Sequence, residues 1–482
     1  MKALLKLLLI QLTLILLFTQ CEKGHILDIP DDAFLEALIR QGVDIDGDGS
    51  ISDDEAEAVT FLELSHYGIS DLTGIEAFIN LLTLRCWDND LNKLDVTDLL
   101  ALEELFCNSN RIAKLDISNN SALSYLRCGN NKLTGLDISN CTELKKLYCG
   151  GNELEQLDLS ANIALEHLSV DHNQFTELDI SRNSALSYLN CTGMGLTDLD
   201  LSNNPALETL YCNLNLLQEL DVSDCSYLED LAACCNELRE LDISQNTELV
   251  WLSCEDNYLT TLGLSSNSYL QSLYCSGNSI TALDFSDDAA LQHLDCRENQ
   301  LAELDLSNKA TLQYLDCQSN QLSSLDLSGN VALQELICRD NQLSTLDLTS
   351  SGALYLLYCS SNQLSMLDLS NNKALYRMVC EKNQLSSLNI TENAILRDLD
   401  CSHNQLSSLD ISNNRLLTEL SCGDNLLTSL DISNNTSLYK LDILNNFALH
   451  EVCVWTMPFP PEGVTVYTAG SPKVYFTTEC SQ

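Results

Sequence analysis

The chain has 482 residues in which Leu, Asp, Ser and Asn recur throughout, too monotonous a composition for the two or three globular domains its length would suggest. Its 24 basic and 70 acidic residues give a formal net charge of -46. That balance repels a phosphate backbone and excludes nucleic acid as a partner, while it attracts divalent cations and basic protein patches. At the start of the chain, Lys2 and Lys6 introduce an apolar run, within residues 1–20, that is too short and too poorly flanked for a stable membrane span; it reads as an export signal. No later segment has the roughly 20 continuous apolar residues of a transmembrane helix, so membrane attachment is expected only through lipid.

The segment Leu17 to Cys21, LFTQC, resembles the lipobox of bacterial lipoproteins, although Phe18 and Gln20 depart from its usual small residues. The resemblance implies cleavage before Cys21 and acylation of that residue; ordinary cleavage, leaving a secreted protein, is the alternative. Residues 21–61 read as an N-terminal cap. Within it, DIDGDGSISDDE, Asp44 to Glu55, resembles the twelve-residue EF-hand loop at every ligand position. The match assigns Asp44, Asp46 and Asp48 as carboxylate ligands, Ser50 as a carbonyl ligand and Ser52 as a side-chain or water-mediated one. Gly49 permits the sharp turn and Glu55 supplies a bidentate carboxylate. Helix-like stretches precede and follow the loop. A lone loop of this kind implies a structural calcium site of roughly 0.1 to 1 mM affinity.

From Cys86 to Cys422 a register of 21 residues runs without insertion, and in that column only Val170 and Ala233 are not Cys. Three residues further on, the column from Asn89 to Asn446 is interrupted only by Met194. The unit LKKLYCGGNEL, Leu144 to Leu154, resembles the LxxLxLxxNxL signature of leucine-rich repeats, with Cys149 in the third Leu position. The linking half, Leu157 to Leu165, is similar to repeats of internalin-type surface proteins and of Bacteroidetes-type lipoproteins. The resemblance covers residues 62–452 and implies an α/β solenoid, a leucine-rich-repeat rod with one long parallel β-sheet. In each unit a short strand such as Lys146 to Cys149 turns Leu147 and Cys149 inward and Lys146 and Tyr148 outward. The first unit departs: Tyr67 stands where Asn is expected, as suits a terminal repeat.

One Cys per 21 residues offers no metal-binding spacing, so the column is expected to fill the narrow interior as small buried hydrophobes. Cys234 and Cys235 flank its slip to Ala233, where one thiol is a candidate for exposure and reactivity. A second column carries Asp from Asp95 to Asp431, interrupted at Gly263 and Asn389. It reads as local capping of turn N–H groups, with a calcium ladder as the alternative. His167 and His293 lie on the outward strand positions, and none of the seven His forms a recognisable catalytic set. No enzymatic activity is expected.

The outward strand positions vary and gather aromatic residues, including Tyr125, Tyr148, Tyr188, Tyr211, Trp251, Tyr274, Tyr314 and Tyr358, alongside Asp295, Asp316 and Asp400. Aromatic side chains on a rigid sheet anchor protein ligands and also stack on sugars, so a protein or carbohydrate ligand is expected there. From Cys453 onward the period stops. Pro458, Pro460 and Pro461 preclude another repeat. Short strands around Val464 to Tyr467 and Val474 to Phe476 read as a β C-terminal cap, with Cys453 and Cys480 able to form a disulfide. These features describe an exported binding or adhesion scaffold at the outer membrane or cell surface. A purely structural envelope component without a specific ligand is the alternative.

Overall fold

The computed structural model describes residues 24–285 and 290–480; the export signal and Cys21 lie outside the described residues. No helix among the described residues is long and apolar enough to cross a membrane. The chain forms two compact units, one ending at Leu207 and the other beginning at Glu208. The sequence gives no sign of this boundary, because the 21-residue register runs through it unbroken.

The first unit opens with helix α1 (Asp32–Arg40), whose apolar face buries Phe34, Ala37 and Leu38. Asp31 caps it: Oδ1 accepts hydrogen bonds from the N–H groups of Ala33 and Phe34, both at 3.0 Å. The other oxygen, Oδ2, accepts from the Ser70 N–H at 2.8 Å and the Asp71 N–H at 3.1 Å. A single carboxylate thus starts the helix and ties it to the repeats. Burial works against its charge, but these hydrogen bonds outweigh it and hold the carboxyl below the ordinary range.

Helix α2 (Asp53–Glu57) is a single turn closed by a Ser52/Glu55 capping box. It ends early because the chain passes almost at once into the strand Phe61–Glu63. That strand begins the parallel sheet of the first unit, which continues through Thr83–Arg85, Glu104–Phe106, Tyr125–Arg127, Lys146–Tyr148, His167–Ser169 and Tyr188–Asn190. In the second unit the same geometry runs from Thr209–Tyr211 to Lys440–Asp442, with Leu210, Leu231, Leu252 and Leu273 in register. Each central Leu is buried while its two neighbours face outward, as two-residue alternation requires. The Cys column lies inside, its side chains buried; burial pushes Cys86 and Cys359 up to about 12.

Within each unit the Asn column staples turns to those before them. Asn110 Nδ2 donates to the carbonyls of Cys86 at 3.0 Å and Cys107 at 3.1 Å, while its Oδ1 accepts from the Leu91 N–H at 3.0 Å. The bonds point backward along the chain, which explains Tyr67: the first turn has no earlier turn to hold. A second Asn ladder, from Asn120 to Asn435, lies in the linking halves. Asn120 Nδ2 donates to the carbonyls of Val96 at 2.9 Å and Leu99 at 2.8 Å. Cys141 and Cys225, outside the main Cys column, occupy positions of this ladder; the Cys141 thiol lies 3.6 Å from the Asn120 carbonyl oxygen.

At the C-terminal end of the second unit, Thr465–Tyr467 extends the main sheet beside Lys440–Asp442. Tyr475–Thr477 pairs with Glu451–Cys453. The buried Ser471 takes the place of the next turn: its Oγ accepts from the Asn446 N–H and donates to the Ile443 carbonyl. A disulfide joins Cys453 and Cys480 with a Cα separation of 5.4 Å.

Candidate functional site

The alternation that buries Leu and Cys leaves two outward positions per strand, and on these the aromatic rings meet across neighbouring turns. All eight positions marked in the sequence are half-buried. In the first unit, Tyr125 contacts Phe106 with ring centroids 4.8 Å apart and Tyr148 at 5.8 Å. Arg127 lies over Tyr148, 4.5 Å from its centroid, and its Nε donates to the Tyr125 hydroxyl at 2.7 Å. Tyr188 stacks on His167 at 5.8 Å. Beside them a depression of about 220 Å³ is lined by Asn108, Arg127, Tyr148 and Asp171 over Gly129 and Gly150. A Cβ on Gly129 would stand 2.8 Å from the Gly150 carbonyl oxygen, so a side chain there would have to push the next turn aside.

In the second unit the row is longer. Tyr211 meets Trp251 at 6.3 Å, Trp251 meets Tyr274 at 5.9 Å, Tyr274 meets His293 at 4.9 Å, and His293 stacks on Tyr314 at 4.0 Å with only 3° between the planes. Further along, the Arg377 guanidinium lies 5.5 Å from the Tyr358 ring centroid. His293, on an outward strand position as the sequence indicated, is therefore a member of the row.

Asp295 and Asp316, expected to be exposed on this face, are instead 6 % and 2 % exposed. They stand side by side in register, flanked by Tyr274 and Ile337 on adjacent strands, and the Arg297 side chain lies against both. Its Nε is 3.4 Å from Asp295 Oδ2 and its Nη1 is 3.8 Å from Asp316 Oδ2. Burial raises the Asp316 carboxyl to about 6 and also raises Asp295 and the nearby Glu255. A two-residue pattern gives which way a side chain points, but not how far its neighbours cover it.

Away from the sheet, the Asp column behaves as turn caps. Asp116 Oδ1 accepts from the Ser118 N–H at 3.0 Å and hydroxyl at 2.7 Å. Such bonds, the Ser or Thr hydroxyl first among them, hold Asp95, Asp116, Asp158 and Asp305 below the ordinary range. Asn389, an interruption of the column, makes the same bonds to Thr391. Cys234 and Cys235 are half-buried. Burial raises Cys234 to about 12, opposite to what a reactive thiolate needs.

In the N-terminal cap, Asp44, Asp46 and Asp48 bring ligand atoms within 4.8 Å of one another. Asp44 Oδ1 accepts from the Gly47 N–H at 2.8 Å and Oδ2 from the Gly49 N–H at 3.0 Å, with Gly49 at φ 83°. Glu55 Oε1 accepts from the Ile45 N–H at 2.8 Å, and Oε2 from the Ser52 N–H at 2.9 Å and hydroxyl at 2.8 Å. The Ser52 N–H bond is the first of several that hold the Glu55 carboxyl below its ordinary range. Ser50 donates its N–H to Asp48 Oδ1 at 3.0 Å. The back of the loop is paired: Ile26 bridges Ser52, and the Leu27 N–H donates to the Ile51 carbonyl at 2.8 Å. A neighbouring segment of the same chain thus covers the back of the loop.

No family model matches the chain, and neither does any curated protein. Solved structures do. The functional domain of InlJ from Listeria monocytogenes, described as including a cysteine ladder, is 28% identical over 82% of this chain and 79% of its own, with a TM-score of 0.59. YopM from Yersinia enterocolitica is 23% identical over 90% of this chain and 94% of its own, with a TM-score of 0.65. The plant peptide hormone receptor RGFR1, solved in complex with RGF2, is 21% identical over 87% of this chain and 79% of its own, with a TM-score of 0.71. By its repeat and by these likenesses, the chain has the leucine-rich-repeat fold.

Proposed function

We propose that the chain is an exported binding scaffold whose outward sheet face in the second unit, centred on Trp251 and Tyr274, engages a protein ligand. The observation that carries this reading is the unbroken run of half-buried rings from Tyr211 to Tyr314. Rigid aromatic side chains of this kind give large contact area at low entropic cost. A glycan would need open ring faces, whereas His293 and Tyr314 cover one another. The complex of RGFR1 with a peptide hormone is a precedent for ligand binding on this fold. In the same reading the chain reaches the cell surface by its export signal and is held there by lipid at Cys21, or is released.

The Tyr211→Ala/Trp251→Ala/Tyr274→Ala variant is expected to lose about a hundredfold in affinity for the ligand while its thermal unfolding stays cooperative. Equal ligand retention by this variant and the parent chain, measured on immobilised protein, would remove the face from consideration.

The N-terminal loop is proposed as a calcium site that steadies the cap. Asp44, Asp46 and Asp48 offer converging carboxylates, a donor set of the hard, oxygen-only kind calcium takes. Ser50, Ser52 and Glu55 complete the expected ligand set. The ion would neutralise the carboxylates and lock the turn that links α1 to α2.

A further inference from the structure

Within the proposed ligand face, the charges are as unevenly placed as the rings. Glu255, Asp295, Asp316 and Glu335 are close enough to act electrostatically on Tyr274, His293 or Tyr314. Against these four carboxylates stand the guanidinium groups of Arg297 and Arg339. Arg339 Nε is also engaged by the Gln318 amide oxygen. Two features set this patch apart from the general acidity of the chain. Asp295 and Asp316 are buried side by side at the end of the aromatic row, where solvent screens them less than it screens the Asp column. The single guanidinium of Arg297 is shared between them, which leaves net negative charge on the patch and shows that the pair accepts a planar cation. The second unit also pairs a guanidinium with a ring at Arg377 and Tyr358.

We infer that the ligand of this face is a protein carrying a cationic segment. Its Lys or Arg side chains would be taken between the row from Trp251 to Tyr314 and the carboxylates of Glu255, Asp295 and Asp316. The inference rests on the proposed role of the face and adds the chemistry of the partner. The aromatic rings supply area and cation–π attraction, and the half-compensated carboxylates set the sign of the partner's charge. A neutral or acidic segment would leave the buried carboxylates desolvated with no gain.

The test uses a short oligo-arginine peptide as probe, its affinity for the mature chain followed by fluorescence anisotropy at fixed salt. Any chain of net charge -46 attracts such a peptide, so the comparison is between two variants that remove the same formal charge. Asp295→Asn/Asp316→Asn is expected to weaken binding about tenfold or more. Asp326→Asn/Asp347→Asn, at exposed edge positions, is expected to change it by less than about twofold. Equal weakening by both pairs would overturn the inference, because the attraction would then be diffuse. Trp251→Ala/Tyr274→Ala keeps every charge and is expected to weaken binding severalfold; unchanged affinity would also overturn it. If the triple aromatic variant loses the protein ligand while the two Asp pairs behave alike, the face stands and the cationic partner falls. If the Asp295/Asp316 pair alone weakens the probe but the triple variant keeps its ligand, the proposed role of the face fails on its own terms.

Discussion

Asn320→Ala is expected to destabilise the second unit by about 2 to 4 kcal/mol, read from the urea midpoint. Asn320 Nδ2 donates to the carbonyls of Cys296 at 3.0 Å and Cys317 at 3.1 Å, and its Oδ1 accepts from the Leu301 N–H at 3.0 Å. Alanine leaves those backbone groups without their partner at a site that is 8 % exposed, and each buried orphan costs about 1 to 3 kcal/mol. The hydrophobic area lost is small, so the effect isolates the staple. Asn320→Asp keeps the acceptor and loses the donor, and should fall nearly as far. A loss below about 0.5 kcal/mol in the alanine variant would mean that the strand ladder alone holds consecutive turns together.

Calcium is expected to raise the unfolding free energy of the N-terminal cap by about 1.4 to 2.7 kcal/mol at 10 mM, which corresponds to roughly ten to a hundred times the dissociation constant. Calorimetry on the mature chain should give a single site, lost in Asp44→Ala/Glu55→Ala. Because Asp44 also accepts three backbone N–H groups, the variant must be compared with the parent chain in chelator as well as in calcium. Many sites persisting in the variant would move the binding to the Asp column; an absence of heat would reduce the loop to a hydrogen-bonded acidic turn.

The repeat was legible because period, strand alternation and the buried columns express one constraint: every 21 residues the chain must return to the same narrow interior. The Asn column was legible for the same reason, but its direction was not. Only the structure shows that Asn89 reaches back to the Leu64 carbonyl as well as to its own turn, and hence why Tyr67 is tolerated. The second Asn ladder has the same 21-residue spacing, yet it was missed because Cys141, Cys225, Asp288, Lys309 and Ser351 interrupt it. At the face, the aromatic positions could be read from the sequence. The burial of Asp295 and Asp316 could not, since it depends on which side chains lean across from neighbouring turns. The pairing of Ile26 with Ser52 joins segments that share no sequence pattern.

The central claim is that the outward sheet face of the second unit holds a protein. A photo-crosslinking amino acid placed at Ser272, between Trp251 and His293 on adjacent strands, tests it most directly when compared with the same group at exposed Ser328 on the Asp edge. The expected result is a discrete protein adduct at Ser272, lost in the Tyr211→Ala/Trp251→Ala/Tyr274→Ala background, and none at Ser328. An adduct at Ser328 alone, or one at Ser272 that survives the triple substitution, would contradict the account.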